Sequence, residues 1–547
     1  MSKGNGSQSN TAAPLEKTVD VLVIGAGLAG IYSIHKIRDD LGLSVQGIEA
    51  FPDVGGVWYT NRYPGARVDS ISQIYCYTFN EDLINEWSYS EKYPTQQEIL
   101  RYINFAADKL DVRRSVKFGT RVETLVWHED EKRWEARTDA GDIIRARFVI
   151  SAAGGLSAAI KPDFKGFDDY RGEVYFTAHW PHHELDLRGK SIGVIGTGSS
   201  GIQVIPELAK VAGSVTVFQR TPHFATPAKN TPHTPEEQER HRAEARELHE
   251  RLKWSFGGNP LTPIESSIHD APPEEREKVF EKLYNAGDFS FWLANYNDIL
   301  KDASANEIAA EYLRGRIRAI VKDPATAEKL VPRTYPYGTK RQPLESNYYE
   351  TFNLDHVSLV DINEDPIVGM TEDGIELKSG IRKFDVLVFA TGFDALTGAL
   401  TRMHIVGTNG QVLADKWKDG PSNYLGISVP GFPNLFTLTG PGSPAVLANV
   451  PMTIEQHVEL AADMIAYANR KGIKAMEAEE AASEAWMAEL KALADKTLFP
   501  VAASWYLGAN IPGKPRVFMP YIDGMASYRR RCDEVAANDY VGFEQRN

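Results

Sequence analysis

From Val19 the chain alternates short apolar runs with glycine turns. The segment VDVLVIGAGLAGIYSIHKI sets an apolar strand over 21–24, then Gly25, Gly27 and Gly30, then apolar positions at helical spacing. A strand, a tight glycine turn and a helix in that order predict the opening of a dinucleotide-binding unit. The next apolar strand, 44–49, ends on an acid and completes a βαβ unit. Residues 191–220 repeat the plan: SIGVIG, then Gly196, Gly198 and Gly201, a helix to about Val211, and a strand SVTVFQ that runs into Arg220. One glycine pattern of this kind is weakly diagnostic. Two, each between a strand and a helix, predict two nucleotide folds in one chain.

The pattern changes near Pro232. Thr234-Pro235-Glu236-Glu237 reads as a helix start, with proline in the first turn and acids beside it, and a charged amphipathic run follows to Trp254. Further helical patterns cover 272–286 and 306–321, so 232–332 is predicted as a helical insertion. Strands return at 357–361, 375–378 and 385–390, the last of them within FDVLVFATGF. Thr453 and Gln456 form a candidate capping box for a long helix that runs to Lys471 and stops at Gly472. The fold class expected is α/β, with two Rossmann-like domains and the helical insertion in the second.

Length and composition narrow the function classes. At about 150 residues per domain, 547 residues make three or four units. No apolar run reaches membrane-spanning length, and the polar stretch 1–14 lacks an apolar signal region, so a loose tail and a cytosolic setting are expected. Sixty basic against 74 acidic residues leave a net charge of −14, which disfavours nucleic acid as a partner; the run Arg529-Arg530-Arg531 reads as solvated surface. The two cysteines, Cys76 and Cys532, form no CxxC pattern, which argues against a disulfide framework, a structural zinc and dithiol redox chemistry.

The strand ends separate the two ligands. Glu49 stands nineteen residues after Gly30, where a carboxylate accepts hydrogen bonds from ribose hydroxyls and repels a 2′-phosphate. Arg220 stands nineteen residues after Gly201, where a guanidinium fork grips a 2′-phosphate. The first unit is therefore expected to hold FAD and the second NADPH, each pyrophosphate lying at a helix N-terminus. The expected domains are a tail over 1–16, FAD-binding segments over 17–155 and 385–547, and NADPH-binding segments over 156–231 and 333–384 that flank the insertion. Hydride then passes from nicotinamide to flavin, and with no cysteine pair to receive the electrons, O2 is the remaining acceptor.

The segment after Glu49 carries a longer pattern. Gly55-Gly56-Val57-Trp58, Tyr63-Pro64-Gly65 and Asp69 resemble the [A/G]GxWxxxx[F/Y]P[G/M]xxxD signature of Baeyer–Villiger monooxygenases, flavoenzymes that turn ketones into esters or lactones. The likeness extends through GTGSSGIQ, FQRTPHF, GTKR, ATGFDA, GPGSP, SWYLGANIPGKP and FMPY, and is greatest to the phenylacetone monooxygenase branch. A second family signature, FxGxxxHxxxW followed by Pro or Asp, is met in part, as Tyr170-x-Gly172-x-x-x-Phe176-x-x-x-Trp180-Pro181. Phe176 replaces the histidine that the family associates with domain movement, and His179 is not at that position and reads as a surface or linker histidine.

The resemblance implies a set of roles. Arg341 is the central catalytic residue, with Asp69 beside it, and Lys340 helps Arg220 hold the NADPH phosphate. FAD is expected on Gly25, Gly27, Gly30, Glu49, Val57, Trp58, Asp69, Tyr75, Val122 and Val450. NADPH is expected on Gly196, Thr197, Gly198, Ser199, Ser200, Gly201, Gln203, Arg220, Thr221, Lys340, Arg341 and Trp505, and 444–447 shapes the substrate pocket. Reduced FAD takes up O2 as a C4a-peroxide, and a fixed guanidinium suits an anion of that kind because it keeps its charge at neutral pH. O2 and a hydrophobic ketone are the partners implied, with no metal, no nucleic acid and no membrane; monomer and dimer stay open. A related flavin monooxygenase acting on nitrogen or sulfur would share both fingerprints without needing the Arg341–Asp69 pair, and a non-catalytic flavin redox sensor is the rival from another class.

Overall fold

A computed structural model describes residues 14–547. Residues 1–13 of the expected tail lie outside the described residues, and Glu16 already belongs to a strand, paired with Ile143. The chain opens with strand β1 (Glu16–Ile24), helix α1 (Leu28–His35) and strand β2 (Val45–Ile48). Strands β3 (Val116–Lys117), β4 (Val122–His128), β5 (Arg133–Thr138) and β6 (Ile143–Ser151) follow. β1 lies between β2 and β6, parallel to both, while β4, β5 and β6 form an antiparallel meander beside it. The last four residues of β1 are apolar and buried, as expected of a strand covered on both faces.

The second sheet is parallel throughout. It is built from β7 (Glu173–Phe176), β8 (Ser191–Ile195), β9 (Ser214–Gln219), β10 (Val357–Asp361) and β11 (Val386–Phe389), in the order β10-β9-β8-β11-β7. Helix α2 (Ser199–Ala209) follows β8 as α1 follows β1. The chain then returns to the first sheet as β12 (His404–Val406), paired with β4, and β13 (Leu435–Thr437), paired with β6. The return therefore falls between Phe389 and His404, later than the boundary at 385 expected from sequence. FDVLVF is continuous and apolar, which identifies a buried strand but not the sheet that it joins.

Between β9 and β10 lies a mostly helical stretch. Its longest helices, α3 (Pro235–Leu252) and α4 (Ala303–Ile320), share it with shorter ones at Pro273–Asn285 and Pro324–Leu330. α3 begins at the helix start expected from sequence, and it carries a capping box: the Thr234 hydroxyl accepts from Glu237 N, and the Glu237 carboxylate accepts from Thr234 N. The core of this stretch is aromatic, with Phe280, Phe291, Trp292, Tyr296 and Tyr337 packed against α4.

Helix α5 (Val450–Lys471) corrects one expectation. Its N-cap is Asn449, whose side chain accepts from Met452 N at 3.0 Å, and not the Thr453–Gln456 pair. Pro451 sits in the first turn, and the Thr453 hydroxyl is spent on Asn449 O. At the other end Gly472 closes the helix in the left-handed conformation, as expected. Among the described residues, no helix is long and apolar enough to cross a membrane.

Candidate active site

Both glycine fingerprints fold into the same object. Gly25 N donates to Ile48 O at 2.8 Å and Gly196 N donates to Phe218 O at 3.1 Å, so each turn leaves its strand in the same way. A Cβ on Gly25 would stand 2.4 Å from Ala152 O, and one on Gly196 would stand 2.4 Å from Ala390 O. A Cβ on Gly30 would press on Gly25 O at 1.9 Å, and one on Gly201 on Gly196 O at 2.3 Å. Glycine is thus required by backbone that approaches on every side. Gly27 and Gly198 are the N-caps of α1 and α2, and neither helix end is capped by a side chain. Each N-terminus keeps backbone N–H groups free for a pyrophosphate.

The strand ends carry the expected charges. Glu49 is buried; its carboxylate accepts from Ala26 N at 2.6 Å and from Phe51 N at 2.9 Å. Burial raises its pKa against the opposing pull of those N–H groups. Arg220 is exposed, and its carbonyl accepts from Asn363 Nδ2, while Thr197 Oγ1 donates to Thr221 O beside it. Among the described residues no carboxylate pairs with Arg220 or Lys340. Burial, and then the charge of Arg220, bring the Lys340 ammonium down to about 8. Two cations held close together without a counter-ion suit a phosphate.

The first cradle has a second wall. Gly55 and Gly56 turn back over Gly27, and a Cβ on Gly56 would stand 3.1 Å from Gly27 Cα. Gly56 (φ 55°, ψ −126°) caps a helical turn, Val57–Thr60, in a conformation open to glycine. Trp58 then points its indole N–H at Tyr75 Oη, 3.0 Å away, with the two rings edge to face. The second glycine turn thus lies directly on the first, next to the free N-terminus of α1.

The signature glycine and tyrosine join the two cradles. Tyr63 Oη donates to Gln203 Oε1 at 2.8 Å, and Gln203 Nε2 donates to Arg67 O at 3.1 Å. A Cβ on Gly65 would stand 2.5 Å from Gln203 O, so the Tyr-Pro-Gly loop lies directly on α2. The Gln203 amide, expected on NADPH, is occupied at both ends by this junction. Trp180 packs in the same cluster as Tyr63 and Ala66, and its backbone N–H donates to Thr60 O at 3.2 Å.

Four residues beyond Gly65, Asp69 meets Arg341. Arg341 Nη2 donates to Asp69 Oδ1 at 2.7 Å and Nε donates to Oδ2 at 3.3 Å, a two-pronged pair with both side chains about a quarter exposed. Burial opposes the charge of Arg341, but the Asp69 carboxylate leads the groups that outweigh it, and its pKa lies above the ordinary arginine value. The guanidinium also lies over the Phe289 ring, 5.0 Å from its centre. The loop carrying Lys340 and Arg341 is held from α4: the Asn306 side chain donates to Tyr337 O and accepts from Tyr337 N, both at 2.8 Å. The site thus draws on both sheets and the helical stretch, and Phe289 and Asn306 have no local sequence signal that could have announced them.

Other expected residues are more dispersed. Val450 is exposed at the start of α5, and Val122 is buried in the sheet core with Leu125 and Trp127. Ser199 and Ser200 form the first turn of α2. Trp505 lies on Tyr506, ring centres 4.5 Å apart, in a cluster with Val446, Leu447, Phe499 and Phe518. Phe176, at the end of β7, stacks on Phe389 at 5.1 Å, with Phe164 and Phe167 on the same ring. Cys76 and Cys532 are free thiols, and burial pushes both up to about 12.

Comparison with known proteins gives three kinds of match. The family model for pyridine nucleotide-disulphide oxidoreductases matches residues 22–257, which include both fingerprints. A Baeyer-Villiger monooxygenase of Pseudooceanicola batsensis is 40% identical over 526 residues, covering 96% of this chain and 96% of that protein. Among solved structures, an oxidized steroid monooxygenase bound to NADP is 45% identical with a TM-score of 0.92, over 97% of this chain and 99% of its own. The crystal structure of OTEMO in complex with FAD and NADP is 40% identical with a TM-score of 0.93, over 96% and 99%.

Proposed function

The chain belongs to the Baeyer–Villiger monooxygenase family, and we propose that Arg341, held by Asp69 where the two cradles meet, is the cation on which its oxygen chemistry depends. The enzyme uses FAD and NADPH to place one oxygen atom of O2 next to a ketone carbonyl, giving an ester or lactone. FAD is assigned to the cradle led by β1 and NADPH to the cradle led by β8. The contact of the Gly56 turn with Gly27 and the buried Glu49 support the first assignment, and the neighbouring cations Arg220 and Lys340 support the second.

When bound, FAD reduced by NADPH supplies the activated oxygen. The protein supplies charge, orientation and dryness. Asp69 fixes the guanidinium of Arg341 in direction through two bonds, so the donor does not have to reorganise as negative charge develops on the substrate carbonyl oxygen. With its pKa raised, Arg341 keeps its proton through the cycle. Phe289 on one side and the cluster of Val446, Leu447 and Phe518 near the site are apolar, which limits water and favours a hydrophobic ketone.

The observation that carries this reading is the two-pronged Arg341–Asp69 pair bridging segments 272 residues apart in sequence. The experiment is an assay of the purified holoenzyme with NADPH and cyclic, linear and aryl ketones, measuring ester, N- or S-oxide and hydrogen peroxide separately. Ester from at least one ketone class, with NADPH consumed in proportion, is the expected result. Peroxide alone across the panel would refute it.

A further inference from the structure

Lys340 has no carboxylate partner among the described residues, yet its side chain is held: Nζ lies over the face of the Tyr335 ring, 4.4 Å from the centre. The backbone brings the two together. Thr339 N and Thr339 Oγ1 both donate to Pro336 O, at 3.3 and 2.6 Å, and the turn so closed folds Lys340 back over Tyr335. A Cβ on Gly338 in that turn would stand 2.7 Å from Leu300 Cδ2 and 2.9 Å from Trp292 Cδ1, so the helical stretch fixes the turn from outside. Tyr335 is itself buried and is anchored at its far end. Its hydroxyl donates to Pro222 O at 3.1 Å and accepts from Phe224 N at 3.3 Å, on the segment that follows Arg220. Tyr349 pins the same segment, donating to His223 O at 2.9 Å and accepting from Ala225 N at 3.2 Å. One side chain, that of Tyr335, therefore ties the segment carrying Arg220 to the loop carrying Lys340.

We propose that Tyr335 is a positioning residue for coenzyme choice: its ring holds the Lys340 ammonium in place for the 2′-phosphate of NADPH. The proposal rests on the assignment of Arg220 and Lys340 to that phosphate made above. A lysine head on a flexible stem gives up rotamer freedom when it grips a phosphate, and a head already held gives up less. A carboxylate in the place of the ring would also hold the ammonium, but it would cancel the charge and compete with the phosphate. The face of a phenol attracts a cation through its quadrupole and carries no charge of its own. NADH has a hydroxyl where NADPH has the phosphate and gains little from Lys340. The ring therefore acts on the preference between the two coenzymes and not on coenzyme binding in general.

The test is equilibrium binding of NADP+ and NAD+ to the FAD-loaded enzyme, read by calorimetry, in Tyr335→Phe and Tyr335→Leu. Both variants lose the hydroxyl bonds and should melt at a lower temperature; only the second loses the ring face. Tyr335→Leu should raise Kd for NADP+ about three- to tenfold and leave Kd for NAD+ near wild type. Tyr335→Phe should keep both near wild type. On a Lys340→Met background, Tyr335→Leu should weaken NADP+ no further, because the ring then has no cation to hold. Wild-type NADP+ binding in Tyr335→Leu would overturn the proposal, and so would an equal weakening of NADP+ and NAD+, which marks a packing role. If the leucine variant does not fold, Tyr335→Phe decides: wild-type binding supports the proposal, and weaker NADP+ binding with the ring still present overturns it. Failure of the underlying assignment looks different: Lys340→Met alone would leave Kd for NADP+ unchanged, and the proposal would fall with it.

Discussion

A Cβ on Gly27 in the first cradle would stand 3.4 Å from Gly56 of a second glycine turn, whereas a Cβ on Gly198 in the second cradle would have nothing within 4 Å. The strands, turns and helix starts around them are otherwise alike, down to the N–H bond that each leading glycine makes to the neighbouring strand. The partners at the strand ends differ in the same sense: Glu49 is buried and already bonded to two backbone N–H groups, and Arg220 is exposed. One backbone plan has produced a turn walled by a second glycine loop, with a buried acid at its strand end, and a turn without that wall, with an exposed arginine there. The walled turn suits a cofactor that stays through many turnovers, the open one a coenzyme that must enter and leave.

Substitutions can break this comparison, and the largest effect is expected at the shared glycines. Gly25→Ala places a Cβ 2.4 Å from Ala152 O at φ 105°, a strain of about 3 kcal/mol or more. The purified protein should be colourless and show a lower melting temperature. Next comes the wall that only the first cradle has. Gly56→Ala should cost about 1–3 kcal/mol and loosen FAD about ten- to a hundredfold, read by flavin fluorescence on dilution. Gly198→Ala should keep full FAD content and change only the NADPH dependence. Equal FAD loss in both would erase the distinction between the cradles.

The cations test the open side. Arg220→Ala removes charge-assisted bonds worth about 1.5–3 kcal/mol and should raise KM for NADPH about ten- to a hundredfold, leaving KM for NADH near its original value. The smallest effect is in pH. Lys340 loses its proton as pH rises through about 8, which removes an attraction, so KM for NADPH should increase on the alkaline side. A rise of about threefold between about pH 7 and 9 is expected, and Lys340→Arg should flatten it.

Both cradles were legible in the sequence, because close backbone approach dictates glycine at fixed spacing and the last strand residue is set by the register of β1 with β2 and β8 with β9. The helix start at Thr234 was legible because proline and acids in a first turn are local signals. The start of α5 was not: Thr453 and Gln456 fit the pattern, but Asn449 and Pro451, four and two residues ahead of Thr453, fit the backbone better. The sheet joined by Val386–Phe389 depends on parallel pairing with strands nearly two hundred residues away, which composition does not encode. The Arg341 site divides in the same way. Family signatures named Arg341 and Asp69, while Phe289 meets the guanidinium, and Asn306 holds the loop that carries it, through tertiary contacts alone.

The role proposed for Arg341 is that of the cation that makes oxygen transfer to a ketone productive. Reaction under 18O2 with NADPH and an accepted ketone should give ester carrying one labelled oxygen with the wild-type enzyme. With Arg341→Ala the labelled ester should fall about 10²- to 10³-fold, and the NADPH consumed should appear as hydrogen peroxide. Undiminished labelled ester from Arg341→Ala would contradict that role.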